Sequence, residues 1–115
     1  MKLEVGMHVR TRDGFLWKPK KIEIEEDNSV WFDDYYDYDV SDVKASHNII
    51  DLIEVGDYVD GELVVEIHKY KNGNVESIDI GEFAETIKNK DIKSIVTKEQ
   101  FESMSYKLWQ AIDKK

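Results

Sequence analysis

One short phrase occurs twice in the chain, fifty positions apart, and it constrains the fold more than any other feature. Residues 3–9 read LEVGMHV, and residues 53–59 read IEVGDYV. In each copy a Val-Gly pair, which favours a turn, precedes residues that alternate as they do in a half-buried strand. The repeat therefore predicts two similar β units followed by a tail.

Turn signals separate further strands within each unit. Asp13-Gly14 in the first unit and Asn72-Gly73 in the second favour β-hairpins. Pro19 fits only an edge strand or a bulge, because proline cannot donate to a sheet ladder. We expect residues 83–90 to hold a short helical turn. We also expect a closing strand at the end of each unit, formed by Ile49, Ile50 and Leu52 in the first and by Ile92, Ile95 and Val96 in the second.

The tail changes to a helical period. Thr97 and Gln100 have the spacing of a capping box. Beyond them an apolar stripe, typical of an amphipathic helix, predicts a helix over residues 98–112 that packs on the β structure. The alternative for this helix is self-association. The stripe consists of Phe101, Met104, Leu108 and Ile112.

These patterns predict a mainly β (α+β) fold. Val-Gly-x-x-Val followed by a glycine turn looks like the opening of SH3-like barrels. We expect two tandem SH3-like β units, or one curled antiparallel sheet, closed by a C-terminal amphipathic helix. The domain boundaries would be 1–52 for the first unit with an acidic–aromatic insert, 53–96 for the second unit, and 97–115 for the helix.

Composition excludes several classes of function. The chain has no cysteine, which excludes disulfides, thiolate metal sites and cysteine nucleophiles. No apolar run approaches the roughly 20 residues that a membrane-spanning helix needs. The net charge of −9 disfavours general binding to nucleic acid or to membrane surfaces, since phosphate groups would be repelled. We expect a cytoplasmic protein.

The charge is unevenly distributed along the chain. Residues 1–21 have a net charge of +4, whereas residues 22–43 contain nine acids and no base. The basic residues between positions 10 and 21 alternate with Phe15 and Trp17, a pattern that could bind single-stranded nucleic acid. Charge compensation between neighbouring strands is the simpler interpretation. The basic residues are Arg10, Arg12, Lys18, Lys20 and Lys21.

Three blocks carry a family resemblance. They are residues 5–11 (VGMHVRT), residues 48–61 (NIIDLIEVGDYV-x-G) and residues 91–107 (DIKSIVTKEQFESM-x-YK). In these blocks the chain resembles a group of small, functionally uncharacterised proteins from phages, prophages and genomes of Firmicutes. The resemblance implies a phage or mobile-element origin, and it carries over no catalytic or binding residue.

The acidic–aromatic stretch is the main candidate site. Tyrosine and tryptophan are common in binding hot spots, and regularly spaced carboxylates can imitate the phosphates of nucleic acid. The stretch would thus bind a basic protein; the alternative is a solvated loop whose tyrosines pack inward. The candidate partner-binding residues are Trp31, Asp33, Asp34, Tyr35, Tyr36, Asp37, Tyr38, Asp39 and Asp42.

Metal and catalytic signatures are weak. The acids between positions 33 and 42 could supply oxygen ligands to Ca²⁺ or Mg²⁺, but their spacing does not match an EF-hand loop. His8, His47 and His68 form no close pair, so a zinc site would need residues brought together by the fold. No nucleophile motif is present. We expect no cofactor, no metal and no enzymatic activity.

The sequence favours a protein-binding accessory protein, with an anti-defence role of the anti-CRISPR type as the concrete hypothesis. Its partner would be a basic host or defence protein, such as a CRISPR nuclease. One alternative is a small adaptor or ligand-binding β-barrel module. An apolar pocket lined by Trp17 or Trp31 would favour this alternative. A second alternative is binding of single-stranded nucleic acid through residues 10–21.

Overall fold

The computed structural model describes residues 3–104, and these residues fold mainly as antiparallel β-strands. Within residues 3–104 the strands are β1 (His8–Thr11), β2 (Leu16–Trp17), β3 (Ile22–Ile24), β4 (Ser29–Phe32), β5 (Tyr36–Asp39), β6 (Val43–Ser46), β7 (Tyr58–Val59), β8 (Glu62–Lys69), β9 (Val75–Ile80), β10 (Glu85–Ile87) and β11 (Ile95–Val96). Short 3₁₀ helices span Val40–Asp42, Ile49–Leu52 and Asn89–Asp91, and helix α1 spans Lys98–Met104. Within this part of the chain, no helix is long and apolar enough to cross a membrane.

The first half of the chain forms two three-stranded sheets. Their strand orders are β2-β1-β6 and β3-β4-β5. The inward side chains alternate along the strands, as the period of two requires. Val30 and Phe32 of β4 are fully buried and pack with Val9 of β1 and Val43 of β6, so the two sheets share one apolar core.

The second half forms one five-stranded sheet in the order β10-β9-β8-β7-β11. Strand β8 is long enough to pair with β7 at its start and with β9 along the rest of its length. A shift in register between Val64 and Glu66 lets this strand bend, and the sheet curls around its own core. That core contains Ile50, Ile53, Val59, Val64, Val75, Ile78 and Ile80.

The repeated phrase forms the same turn in both halves. The backbone N–H of Met7 donates to the Glu4 carbonyl at 3.3 Å, and that of Asp57 donates to the Glu54 carbonyl at 3.1 Å. The glycine of each turn has a positive φ, +102° at Gly6 and +100° at Gly56. Strand β1 or β7 follows the turn and pairs with the last strand of its own half, β6 or β11.

The mainly β prediction and the curled antiparallel sheet are confirmed. The expected closing strand at Ile49, Ile50 and Leu52 is wrong, because these residues form a 3₁₀ helix and β6 closes the first half instead. A short apolar run fits a strand or a buried helical turn equally well, so its periodicity does not distinguish them. The helical turn expected in residues 83–90 is wrong for most of that stretch, because Glu85–Ile87 form strand β10 and the 3₁₀ helix Asn89–Asp91 begins only at its end.

The helix predicted over residues 98–112 begins where expected. Thr97 Oγ1 accepts the Gln100 N–H at 3.2 Å, and Gln100 Oε1 accepts the Thr97 N–H at 3.1 Å, so the capping box is confirmed. Phe101 stacks on Tyr58 with ring centroids 4.4 Å apart, yet it remains 45% exposed. Leu108 and Ile112 lie outside the described residues, and the amphipathic packing of the whole helix stays a prediction.

Candidate functional site

The acidic–aromatic stretch forms the hairpin of β4 and β5. Each residue of β4 lies opposite one of β5, from Ser29 with Asp39 to Phe32 with Tyr36. Because Val30 and Phe32 point into the core, Trp31 between them points to the opposite face of the sheet. The hairpin therefore divides the nine candidate residues between two faces and a tight turn.

The outward face of this sheet places a tryptophan between two carboxylates. Trp31 lies opposite Glu23 of β3 on one side and Asp37 of β5 on the other. Both acids are exposed, and Trp31 is half-buried. We call these three residues the Trp31 face. At the turn beside it, Tyr35 is 82% exposed, so an aromatic ring and carboxylates are presented together to solvent.

One of the candidate acids serves the fold, and its neighbour makes an ion pair on the surface. Asp33 accepts hydrogen bonds from the backbone N–H groups of Lys20 and Lys21 at 2.8 and 3.0 Å, and from Trp17 Nε1 at 3.3 Å. Partial desolvation acts to raise the pKa of Asp33, but these bonds outweigh it and hold the pKa below its ordinary value. Asp34 pairs with Lys21 at 2.9 Å. Asp33 is thus a structural link between the hairpin and the segment before β3.

The end of β5 is also structural. Asp39 accepts from both the N–H and the hydroxyl of Ser41, which lowers the pKa of its carboxyl and caps the 3₁₀ helix Val40–Asp42. Tyr38 packs against Phe32 on the core side, with ring centroids 6.3 Å apart. Asp42 lies 3.8 Å from Arg12. Within residues 3–104, the acids between positions 33 and 42 do not bring three ligand atoms together as an oxygen-ligand metal site requires.

A second surface feature lies on the other side of the hairpin, where Tyr36 points. Trp17 contacts Tyr36 and Phe32, with ring centroids 5.5 and 5.3 Å apart. Next to these rings is an open cleft of about 370 Å³, which we call the Trp17 groove. Its lining residues are Phe15, Leu16, Trp17, Asp33, Tyr36 and Gln100. The volume falls in the range of small-ligand sites.

The basic cluster of residues 10–21 does not form one exposed surface. Arg10 is only 3% exposed, because it lies under the junction of the two halves. Lys21 pairs with Glu23 at 3.0 Å as well as with Asp34, and Arg12 lies beside Asp42. The expected compensation between neighbouring basic and acidic segments is therefore present.

The role of Arg10 is the one that differs most from its sequence-based prediction as a surface residue. Its guanidinium donates to both carboxylate oxygens of Asp57, to the Leu52 carbonyl at 2.9 Å and to Glu99 at 2.8 Å. Glu54 lies 3.6 Å from its Nε. We call Arg10 with these acceptors the Arg10 network. Its partners are 42 to 89 positions away, so no local pattern could have revealed it.

Burial and pairing act in opposite directions on the pKa values of this network. Burial alone would lower the pKa of Arg10, but the hydrogen bond and negative charge of Asp57 outweigh it, and the pKa is raised. Burial would raise the pKa of Glu54, but the hydrogen bond from Lys98 and the charge of Arg10 lower it. Both groups are thus held in their charged forms, and Arg10 is not free to bind a nucleic acid.

Comparisons with known proteins add no further site residue: no protein-family profile, curated protein or solved structure matches the chain.

Proposed function

We propose that the protein is a binding protein whose Trp31 face engages a basic surface of another protein. The observation that carries this proposal is the position of Trp31, which is directed away from the core and lies between Glu23 and Asp37. Such a pattern combines an aromatic anchor with carboxylates that steer a cationic partner toward it. The exposed Tyr35 extends the surface at the hairpin turn.

The partner class that fits this surface is a nucleic-acid-binding protein. Its phosphate-binding groove would attract the carboxylates, and the net charge of −9 would favour the encounter at long range. A host or defence protein of this kind, such as a CRISPR nuclease, is the partner that the phage-type resemblance implies. Of the nine candidate partner-binding residues, the proposal keeps Trp31, Asp37 and Tyr35, together with Asp34, which is exposed at the turn. Glu23 joins them, and its ion pair with Lys21 is shared with Asp34. The other members have contacts within the fold or lie on the other side of the hairpin.

A matched pair of charge reversals tests this proposal. The protein, immobilised as bait, would capture basic proteins from a bacterial lysate that contains a CRISPR nuclease. Glu23→Lys with Asp37→Lys should abolish capture, and Trp31→Ala should weaken it. The control, Glu82→Lys with Glu85→Lys, changes the net charge equally at exposed positions of the second half and should retain capture.

Competition and salt separate specific binding from general attraction. Duplex DNA should displace the captured protein, because it would compete for the same groove, and capture should weaken as salt rises. Equal loss of capture in the two charge-reversed proteins would contradict the proposal. Capture that persists when Trp31, Glu23 and Asp37 are all replaced would also contradict it.

The Trp17 groove supports a second candidate function, a small adaptor or ligand-binding module. Three aromatic rings line it, and Asp33 and Gln100 add polar groups. Trp17 can report on binding directly if Trp31 and Trp109 are replaced by Phe, which leaves it as the single tryptophan. A saturable change in its fluorescence on addition of short proline-rich peptides would support this function. If none of these peptides changes the fluorescence of Trp17, the result would count against this function.

We also propose that the two halves are SH3-like units in tandem. In each half, the last strand follows a 3₁₀ helix and pairs antiparallel with the first strand. The middle of each half is a three-stranded antiparallel arrangement, β3-β4-β5 or β8-β9-β10. This order supports the SH3-like assignment, which concerns the scaffold and by itself indicates no activity.

A further inference from the structure

The outward face of the second half carries a cluster of metal-ligand side chains that is separate from the Trp31 face. Glu66 and His68 lie on β8, and Asp79 lies on the neighbouring strand β9. Each residue offers one ligand atom, and the three atoms lie within 4.8 Å of one another. His68 Nε2 is 2.9 Å from Asp79 Oδ2. The sheet thus brings a histidine together with carboxylates from two strands.

The backbone places two like charges opposite each other at this point. Glu66 is the cross-strand neighbour of Asp79, and two carboxylates placed in this way repel each other unless a cation, either protonated His68 or a metal ion, lies close to both. Within residues 3–104, His68 is the only residue that forms an ion pair with Asp79, and no lysine or arginine bridges Asp79 and Glu66. The shift in register just before Glu66 is a bulge, a feature that redirects side chains and is common beside functional sites.

A neighbouring hydroxyl fixes the orientation of the central carboxylate. Thr86 of β10 donates to Asp79 Oδ1 at 2.7 Å, which leaves Oδ2 directed at His68. Asp79 is only 8% exposed, so its rotamer is held by the sheet around it. Support of this kind is what positions the ligands of metal sites in proteins. Glu66, by contrast, is exposed and free to adjust to an ion.

We propose that Glu66, His68 and Asp79 bind a divalent transition-metal ion such as Zn²⁺. One imidazole nitrogen and two carboxylate oxygens are donors that Zn²⁺ accepts, and water completes the coordination of an exposed three-ligand site. Two ligands of a tetrahedral zinc ion, each about 2.0–2.1 Å from the metal, lie roughly 3.3 Å apart. His68 and Asp79 are therefore within a few tenths of an ångström of the required separation. This site goes beyond the proposed binding function and does not depend on it.

Titration of the full chain with ZnCl₂, followed by calorimetry, tests the site. The titration is run in excess magnesium, which occupies sites made of carboxylates alone. The wild type should bind one Zn²⁺ per chain. His68→Gln and Glu66→Gln should each weaken binding at least tenfold, and Thr86→Val should weaken it roughly tenfold through Asp79. Circular dichroism checks that each variant is folded, which is expected because His68 and Glu66 lie on the surface.

His47 supplies the matched control. It forms a similar exposed pair with Glu4 at 2.6 Å, but among the described residues no second carboxylate lies beside it as in the His68 cluster. His47→Gln should therefore bind Zn²⁺ as the wild type does. Bound Co²⁺ should give a visible absorption spectrum that His68→Gln loses and His47→Gln keeps. The proposal is overturned if the wild type takes up no zinc at millimolar concentration, or if His68→Gln binds as tightly as the wild type.

Discussion

Within residues 3–104, Arg10 joins very distant parts of the chain, through a hydrogen bond to Glu99 that spans 89 positions. It belongs to β1, yet its acceptors belong to the segment after β6, to the second repeat and to α1. A buried charge is stable only when it is paired and hydrogen-bonded. Asp57, itself fully buried, further accepts the backbone N–H groups of Glu54 and Lys98. The Arg10 network therefore fixes two elements relative to β1: the turn in the second copy of the repeated phrase, and the start of α1.

Removing the guanidinium should destabilise the protein strongly. Arg10→Ala leaves the Asp57 carboxylate buried without its cation, and we expect the free energy of unfolding to fall by about 3–5 kcal/mol. Arg12→Ala is the matched control, because Arg12 is 83% exposed and only 3.8 Å from Asp42, and it should change stability by less than about 0.5 kcal/mol. Urea unfolding of the two variants measures the difference. Losses of similar size would show that the network contributes little.

Glu54 should make stability depend on pH in the acid range. Its pKa in the folded protein is held below the ordinary value of 4.5 by Lys98 and Arg10, despite burial. A carboxyl with a lowered pKa stabilises the folded state fully above pH 4.5 and loses that contribution as pH falls through the folded pKa. The free energy of unfolding of the wild type should thus decline more steeply below pH 4.5 than that of Glu54→Gln. Glu82→Gln, at an exposed turn, should follow the wild type, and a Glu54→Gln curve parallel to the wild type would contradict the expectation.

Among the elements, the turn between β1 and β2 is stabilised both by its own sequence and by a contact from a residue distant in sequence. Asp13-Gly14 predicts this turn locally, and the Thr11 N–H donates to the Phe15 carbonyl to close it. Thr97 Oγ1 also donates to the Gly14 carbonyl at 2.7 Å, so the residue that caps α1 holds the turn too. A side chain at position 14 would lie 2.5 Å from Glu99 Cβ.

Two glycines with the same backbone angle allow this contact to be measured. Gly14 and Gly73 both have φ of +90°, but among the residues that the structure describes a Cβ at Gly73 would meet no atom within 4 Å. Gly73→Ala should cost about 1–3 kcal/mol, from backbone strain alone. Gly14→Ala should cost clearly more, because α1 must also move away. Thermal unfolding of both variants tests this, and equal shifts in Tm would show that α1 does not restrict the turn.

The elements that follow from local chemistry were predictable, and those that depend on distant partners were not. Glycine turns and the capping box at Thr97 act over three or four residues, and both appear as expected. The closing strand of the first half was misplaced because Ile49, Ile50 and Leu52 are buried residues whose apolar character suits a 3₁₀ helix as well as a strand. The Trp31 face follows from strand alternation, but the structural role of Asp33 depends on backbone groups 12 and 13 residues earlier.

The whole molecule should unfold as one cooperative unit. Trp17 and Trp31 report on the first half, while circular dichroism reports on all strands, and in a Trp109→Phe protein the two signals should give coincident urea transitions. The Arg10 network is the reason, because it joins the two halves through buried groups. When Arg10→Ala is added, both transitions should move together to lower urea concentration. Separate transitions in the parent protein would show that the halves are independent.

The pairing of first with last strands in each half has a consequence for kinetics. Contacts between residues far apart in sequence form only after long loops have closed, so proteins rich in them fold slowly. The bond from Arg10 to Glu99 spans 89 positions and requires both halves to be in place. An interaction absent from the folding transition state acts mainly on the rate of unfolding. The buried arginine should therefore have little effect on the rate of folding and should mainly slow unfolding, which lengthens the lifetime of the folded chain.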